Sequence, residues 1–215
     1  MTKLVKKIKM KYAIEVLTGL HIGGNSDNVE IGGVDNPVIK LSDGKPYIPG
    51  SSLKGKIRCL LEQEAGANKV GEDSAINELF GVADKSNPKP SKIIVRDFYF
   101  TEKSIKNLEK SDYLPMPYTE NKSENSINRV TGKADNPRQT ERVPAGVTFE
   151  GEIILNVWDN DNEQEFKNML NKGINLLEND YLGGSGSRGY GQVKLTVVNT
   201  SELSESNEWT DKKEK

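Results

Sequence analysis

The chain has 215 residues, which is room for one full-sized domain or two small ones. Its 30 basic and 32 acidic residues nearly balance, which by itself argues against a nucleic-acid-binding protein, because such domains are often strongly basic. No stretch of 18 apolar residues occurs, and the basic N-terminus lacks the apolar segment of a signal peptide. We therefore expect a cytoplasmic protein without a membrane partner.

The scarcity of soft metal ligands restricts the chemistry further. Cys59 is the single cysteine, which excludes an intrachain disulfide and a multi-cysteine zinc site. His21 is the single histidine, which excludes metal sites built on two histidines. The chemistry must come mainly from carboxylates, basic side chains, hydroxyls and the backbone.

The predicted elements follow in the order strand, helix, strand, strand, helix, strand. Alternating apolar residues, or dense β-branched and aromatic ones, predict strands at 8–16, 93–100, 149–157 and 193–197. Apolar stripes at helical spacing predict two helices, with stripes at Leu53, Ile57, Leu60 and Leu61 and at Phe166, Met169, Leu170, Ile174 and Leu177. Ser51 or Ser52 can cap the first. This order is typical of the ferredoxin-like α+β fold, an antiparallel sheet backed by two helices.

Two long insertions interrupt these elements, at 19–50 and 101–146. Weaker helical patterns at 74–80 and 104–110 predict two additional short helices. We expect a single domain over residues 1–200, followed by a polar and disordered tail at 201–215.

A glycine-rich segment joins the second predicted helix to the last strand. Residues 183–191, GGSGSRGYG, contain a GxGxxG pattern, but a dinucleotide-binding loop must follow a strand and open a helix, so that function is excluded. Two interpretations stay open: a loop whose bare backbone approaches a phosphodiester chain, or a structural turn. The candidate residues are Gly183, Gly184, Ser185, Gly186, Ser187 and Arg188.

The start of the first predicted helix is a second candidate anion site. Free N–H groups and a partial positive charge lie at a helix N-terminus, and Lys54 and Arg58, four residues apart, share one face. A capped helix with solvated cations explains the same residues equally well.

The first insertion supplies a candidate carboxylate. Asp35 lies between glycines and a proline, in a pattern that is common in purely structural turns. It could also position a divalent metal ion or an attacking hydroxyl in phosphodiester cleavage. His21 is either a hydrogen-bonded loop residue or a general base.

The second insertion carries cations at regular intervals, at Arg129, Lys133, Arg138 and Arg142. Its polar composition cannot form a core. The segment is therefore a projecting hairpin or irregular arm that reaches outward, or a mobile loop.

Four segments together resemble the RAMP proteins of type III CRISPR systems, and most closely the repeated backbone subunit of the type III-A (Csm) effector complex. They are LHIGG at 20–24, IPGSSLKGKIR at 48–58, NRVTGKADNPRQTER at 128–142 and LGGSGSRGYGQV at 182–193. The resemblance implies an RRM-like or ferredoxin-like palm with a protruding thumb. It also implies copies that stack along the CRISPR guide RNA into a helical filament, beside other Csm subunits, where each thumb displaces a base of the guide–target duplex.

The same resemblance implies roles for individual residues. Asp35 occupies the position of the aspartate that cleaves target RNA with a divalent metal ion, Mg²⁺ or Mn²⁺, either as general base or as metal ligand. The expected reaction is attack by a ribose 2′-OH, which leaves a cyclic phosphate and a 5′-OH. RNA-binding roles fall on His21, Lys54, Arg58, Arg129, Arg138 and the loop 183–188. Auxiliary roles fall on Asp97, Glu120, Glu124 and Glu141.

Three alternatives stay open: a non-catalytic RNA-binding backbone subunit, a guide-processing nuclease that uses His21, and a small-molecule regulatory domain. The charge distribution is compatible with an RNA-binding surface, because residues 1–60 hold ten basic and five acidic residues. The near-neutral total is then a cancellation between a basic N-terminal region, which includes the first strand, and an acidic remainder.

Overall fold

The computed structural model describes residues 3–24, 34–83, 88–203 and 208–211. It is a mixed α/β structure. The strands are β1 (Leu4–Val16), β2 (Tyr47–Ile48), β3 (Ile93–Val95), β4 (Phe98–Phe100), β5 (Glu120–Ile127), β6 (Ala134–Arg142), β7 (Thr148–Trp158), β8 (Val193–Leu203) and β9 (Trp209–Asp211). The helices are α1 (Gly50–Glu64), α2 (Ser74–Phe80), α3 (Glu102–Glu109) and α4 (Glu163–Glu178), with a 3₁₀ turn at Gly186–Arg188.

The main sheet has the strand order β2-β4-β7-β1-β8-β9, with β3 also paired to β7. Its strand pairs are all antiparallel within the described residues. The long strands β1, β7 and β8 form its centre, where Ile8 lies opposite Leu155 on one side and Glu202 on the other. The predicted antiparallel sheet is confirmed.

The core lies between one face of this sheet and the helices. The apolar residues of β1 alternate as predicted, so Ile8, Met10, Tyr12, Ile14 and Val16 are buried while their neighbours are not. The stripes of α1 and α4 pack on that face and on each other. Burial also raises the pKa of the Tyr12 hydroxyl to about 12.

The predicted strand at 93–100 is wrong as a single element. It divides into β3 and β4 at Arg96 and Asp97, and both halves pair with β7. The interruption turns the carboxylate of Asp97 towards α1, where its Oδ1 accepts a hydrogen bond from the Gly50 N–H at 2.7 Å.

The predicted cap of α1 is also wrong. The helix begins at Gly50 with Pro49 as its N-cap residue, and no side chain of the cap residue bonds to it. Asp97 supplies an acceptor from a different strand instead, so neither Ser51 nor Ser52 is needed at that end.

The insertion at 101–146 contains regular structure. It begins with α3 and continues into the antiparallel hairpin of β5 and β6, which forms a separate two-stranded sheet. Its tip, residues 128–133, is closed by the Asn128 side chain, which accepts from the N–H groups of Val130 and Thr131 at 3.0 Å each. The short helices predicted near 74–80 and 104–110 are confirmed as α2 and α3.

The predicted disorder of the tail at 201–215 is wrong for its described part. Residues 201–203 complete β8, and β9 pairs with them through Leu203 and Trp209. The aromatic ring of Trp209 lies under the Lys9 ammonium, 4.6 Å from it, which helps to hold β9 on the sheet. Residues 204–207 and 212–215 lie outside the described residues.

Three lysines of the basic first strand, Lys6, Lys9 and Lys11, are paired with carboxylates of the chain itself. Lys6 pairs with Glu163 and Glu202 at 2.9 Å each, and Lys9 and Lys11 pair across the sheet with Glu152 and Glu150. Most of the positive charge of β1 is therefore neutralised by carboxylates of α4, β7 and β8. In the described part of the chain, no helix is both long and apolar enough to cross a membrane.

Candidate functional site

Three chain segments that are distant in sequence meet at the base of the β5–β6 hairpin. Leu20 and Val143 exchange main-chain hydrogen bonds of 2.9 and 2.8 Å. The segment 36–40 lies beside 20–24, with Gly24 N–H donating to Pro37 at 3.0 Å and Ile39 N–H donating to Ile22 at 2.9 Å. This arrangement places the turn of Asp35 against β6.

Asp35 is exposed and is held by the edge of β6. Its Oδ2 accepts from the Gln139 N–H at 2.7 Å, and the Asn36 N–H donates to the Gln139 carbonyl at 3.2 Å. The Glu141 N–H donates in turn to the Asn36 carbonyl at 3.0 Å. A single carboxylate therefore stands at the surface with its position defined by main-chain bonds. Asp27 and Glu30, which precede it in the same insertion, lie outside the described residues.

Glu141 joins the two insertions and is 1% exposed. Its Oε1 accepts from the Thr119 hydroxyl at 2.7 Å and pairs with the Lys40 ammonium at 2.5 Å, and its Oε2 accepts from the Val38 N–H at 2.9 Å. A carboxylate so enclosed cannot contact a substrate, which makes Glu141 an organising residue.

His21 lies between the hairpin base and the glycine-rich loop. Its Nδ1 is 2.7 Å from the Glu141 carbonyl oxygen, and since a carbonyl only accepts, Nδ1 carries the proton. Its own carbonyl accepts from the Gly184 N–H at 2.8 Å. Gly183 has φ +79°, and a Cβ there would lie 2.2 Å from the His21 oxygen, so the close approach requires glycine.

Glu124 and Tyr190 join the hairpin to the end of the same loop. The Tyr190 hydroxyl donates to Glu124 Oε1 at 2.7 Å, and Arg138 donates to Oε2 through Nε and Nη2 at 3.3 and 3.1 Å. The Tyr190 hydrogen bond, with those of Arg138 and Lys122, lowers the pKa of Glu124 to about 2. Glu124 is therefore ionised throughout the physiological range.

Several residues of this region were not among the sequence candidates. The Lys122 ammonium lies 4.5 Å and the Arg142 guanidinium 4.9 Å from the centre of the Tyr190 ring, and Arg142 also pairs with Glu120. Lys40 contacts Glu141 as described above. Arg142 had a signal in the regular spacing of cations, whereas nothing in the sequence marks Tyr190 as their common contact.

The candidates of α1 lie in a different setting. The Lys54 ammonium donates to the Ser91 hydroxyl at 2.6 Å, and burial, with the nearby Arg58 charge, lowers its pKa. Arg58 donates to Glu62, to the Gly81 carbonyl and to the Asn77 side chain at 2.7–2.9 Å, which ties α2 to α1. Together with the Asp97 cap described above, these contacts occupy the predicted anion site with groups of the chain itself.

Lys56, which lies on α1 between those two residues, is the cation of this helix beside the glycine-rich loop. Its ammonium pairs with Asp180 at 2.8 Å and lies 3.8 Å from the centre of the Tyr181 ring. Arg188 is exposed in the loop, where it donates to the Ser185 hydroxyl at 3.0 Å. Arg129 is exposed at the tip of the hairpin, away from its base.

The described residues contain no group of three or more histidine, cysteine or acidic side chains that could hold a metal ion by themselves. Asp35 contributes one carboxylate, of which Oδ2 already accepts from the backbone. This donor set fits a hard cation such as Mg²⁺ only where phosphate oxygens and water complete the coordination.

The matching family model is that of the RAMP superfamily, which covers residues 13–194, and the chain belongs to this superfamily. Its relatives indicate a particular group within the superfamily. One from Streptococcus thermophilus is 46% identical over 196 residues, covering 87% of this chain and 86% of the relative, and one from Enterococcus italicus is 42% identical over 202 residues, covering 90% and 92%. Both are named CRISPR system Cms endoribonuclease Csm3, and the chain is a member of this Csm3 group.

Solved structures agree with the fold. A chain of the Csm3–Csm4 subcomplex of a type III-A CRISPR–Cas interference complex matches with 32% identity and a TM-score of 0.60, covering 93% of this chain and 81% of that one. The crystal structure of Csm3 from Methanopyrus kandleri matches with 19% identity and a TM-score of 0.63, covering 94% and 78%, which concerns the fold alone.

Proposed function

We propose that this chain is a repeated backbone subunit of a type III-A CRISPR interference complex, in which it binds guide RNA and cleaves the complementary target RNA. The observation that carries the proposal is the exposed carboxylate of Asp35, held by main-chain bonds at the base of a projecting hairpin. The Csm3 endoribonucleases and the type III-A subcomplex that the chain resembles support the same assignment. The complex acts in the cytoplasm.

The strand order supports a ferredoxin-like palm, because β8, β1, β7 and β3–β4 are arranged as the last, first, third and second strands of that fold. The β5–β6 hairpin is the thumb.

RNA follows the surface between the thumb base and the glycine-rich loop, where His21 bonds to Gly184 and Arg138 is linked through Glu124 to Tyr190. Arg129 contacts RNA from the thumb tip. Lys54 and Arg58 instead hold α1 to its neighbours.

Asp35 is the catalytic group of the proposed cleavage. The ribose 2′-oxygen attacks the adjacent phosphorus, the P–O5′ bond breaks, and the products are a 2′,3′-cyclic phosphate and a protonated 5′-oxygen. A divalent ion, Mg²⁺ or Mn²⁺, would stabilise the negative charge that develops on the phosphoryl oxygens. The outward oxygen of Asp35 either takes the 2′-OH proton or would help to hold that ion, in which case the 2′-OH proton passes to water. The departing 5′-oxygen takes its proton from water, while the chain holds the RNA in an in-line geometry.

The test uses the complex assembled with guide RNA. Asp35→Ala is expected to abolish cleavage of labelled target RNA while leaving its binding unchanged. Asp43→Ala is the matched control, because Asp43 is an exposed carboxylate of the same insertion whose partner is Lys45. Cleavage that persists at every position in the Asp35→Ala complex would overturn the assignment of the reaction to Asp35.

A guide-processing nuclease remains a second candidate because His21 is part of the same site. The structure gives its Nδ1–H a main-chain partner, which leaves Nε2 as the acceptor of the neutral ring. The isolated chain is expected not to process guide precursor. Processing that His21→Ala removes would favour this candidate over target cleavage.

A further inference from the structure

Gln139 presents its main chain to the catalytic turn and not to the hairpin partner. It lies opposite Ser123 in the β5–β6 register, yet its N–H donates to Asp35 and its carbonyl accepts from Asn36. Main-chain groups point alternately to the two sides of an antiparallel strand, and the Glu141 N–H, two residues on, also faces the turn. The turn thus forms main-chain hydrogen bonds with the outer edge of β6, in the position that a third strand of the hairpin sheet would occupy.

The two oxygens of the Asp35 carboxylate consequently differ. Oδ2 is held 2.7 Å from the Gln139 nitrogen. No hydrogen bond to Oδ1 occurs among the described residues, and the side chain is exposed. Oδ2 is therefore fixed to the backbone of β6, whereas Oδ1 faces outward.

We propose that the main-chain N–H of Gln139 is the positioning group of the cleavage reaction, which fixes the carboxylate of Asp35 so that Oδ1 meets the RNA. This inference rests on the proposed function, since it assigns the orientation of the same catalytic residue. A flexible aspartate in a turn would rotate about χ1 and χ2, whereas a carboxylate bonded to a strand edge is confined to one orientation. Misplacement of a catalytic group by about 1 Å can reduce a rate about 100-fold.

The test compares two substitutions at one position in the assembled complex. Gln139→Pro removes the N–H, whereas Gln139→Ala retains it, and both remove the side-chain bond from Asn121. We expect Gln139→Pro to lower kcat for target cleavage about 100-fold with little change in KM or in target affinity. Gln139→Ala is expected to cleave at nearly the wild-type rate. Equal rates for the two variants would overturn the inference.

A second measurement does not depend on a proline in the hairpin. Hydrogen exchange of the Gln139 amide in the complex is expected to be at least about tenfold faster in Asp35→Ala than in wild type, because the acceptor is lost. Asp35→Asn, which keeps a carbonyl acceptor, is expected to retain protection but not cleavage. Unchanged exchange in Asp35→Ala would overturn the inference.

The cleavage results for Asp35→Ala and Gln139→Pro distinguish a failure of this inference from a failure of the proposed function. Cleavage that survives Asp35→Ala would remove the catalytic role of Asp35, on which the proposed mechanism and this inference both rest. Loss of cleavage in Asp35→Ala, together with full activity in Gln139→Pro, would leave the function standing and remove only the positioning role of the Gln139 N–H.

Discussion

The buried carboxylate of Glu141 is expected to be worth several kcal/mol to the fold. It connects the first insertion, through Val38 and Lys40, to the base of the hairpin, through Thr119. Replacing it with alanine removes three interactions at once and leaves their donors behind. The isolated chain is sufficient to measure this effect, because all four residues belong to it.

The magnitude follows from the burial of the donors. The Thr119 side chain is fully buried and Val38 is 5% exposed, so each unsatisfied donor costs about 1–3 kcal/mol. The Lys40 side chain is 33% exposed and can regain water, so loss of its ion pair adds at most about 1 kcal/mol. The sum for Glu141→Ala is about 2–7 kcal/mol. For a chain of this size that corresponds to a fall in Tm of about 4–28 °C.

Thermal unfolding followed by circular dichroism checks this value. Glu102→Ala is the control, because that side chain is 92% exposed and its pairing with Lys106 spans 3.9 Å, so its Tm should stay within about 2 °C of wild type. Glu141→Gln keeps one acceptor oxygen, so its Tm should lie between those of Glu141→Ala and Glu102→Ala. A Tm for Glu141→Ala that equals the control value would refute the claim that the unsatisfied donors of Thr119 and Val38 destabilise the fold.

Two further results are expected from stability measurements. Because the hydrogen bond from Tyr190 lowers the pKa of Glu124 to about 2, its ionised form stabilises the fold fully above the ordinary value of 4.5 and loses this effect as the pH falls towards 2. The Tm difference between wild type and Glu124→Gln should therefore be largest near pH 7 and vanish near pH 2. Gly183→Ala should lower the free energy of unfolding in urea by about 2 kcal/mol, because its Cβ meets the His21 carbonyl, whereas Gly55→Ala, in an open helical position, should raise it by up to about 1 kcal/mol.

The regular elements could be predicted because their signals are local. Alternation in β1 and the stripe of α4 each report burial within one element, and the structure buries those residues. The break between β3 and β4 falls at the charged pair Arg96–Asp97, but the pair alone does not indicate its contact. Asp97 bonds to Gly50, which is 47 positions away.

The site could be predicted as a set of segments but not as an arrangement. Its defining contacts join residues separated by 104 positions for Asp35 and Gln139, 120 for His21 and Glu141, and 66 for Tyr190 and Glu124. No spacing rule reaches across such distances. Residues of one sequence motif therefore occupy different environments. In the segment 128–142, Glu141 is buried while Arg129 is exposed.

The helix start of α1 shows that a pattern typical of anion binding can be satisfied by a carboxylate of the chain itself. A helix N-terminus with nearby cations attracts an anion, and the first turn here does bind one, but the anion is the Asp97 carboxylate. The same holds for Lys9 and Lys11 of β1, which pair with glutamates of the neighbouring strand β7. At the candidate site Lys122 and Arg138 share the single carboxylate of Glu124, and Arg188 is exposed in the glycine-rich loop, so the cations of this cluster outnumber its paired carboxylate. An RNA-binding surface on this chain is therefore a product of its tertiary contacts, which is why the near-neutral net charge of the sequence does not argue against one.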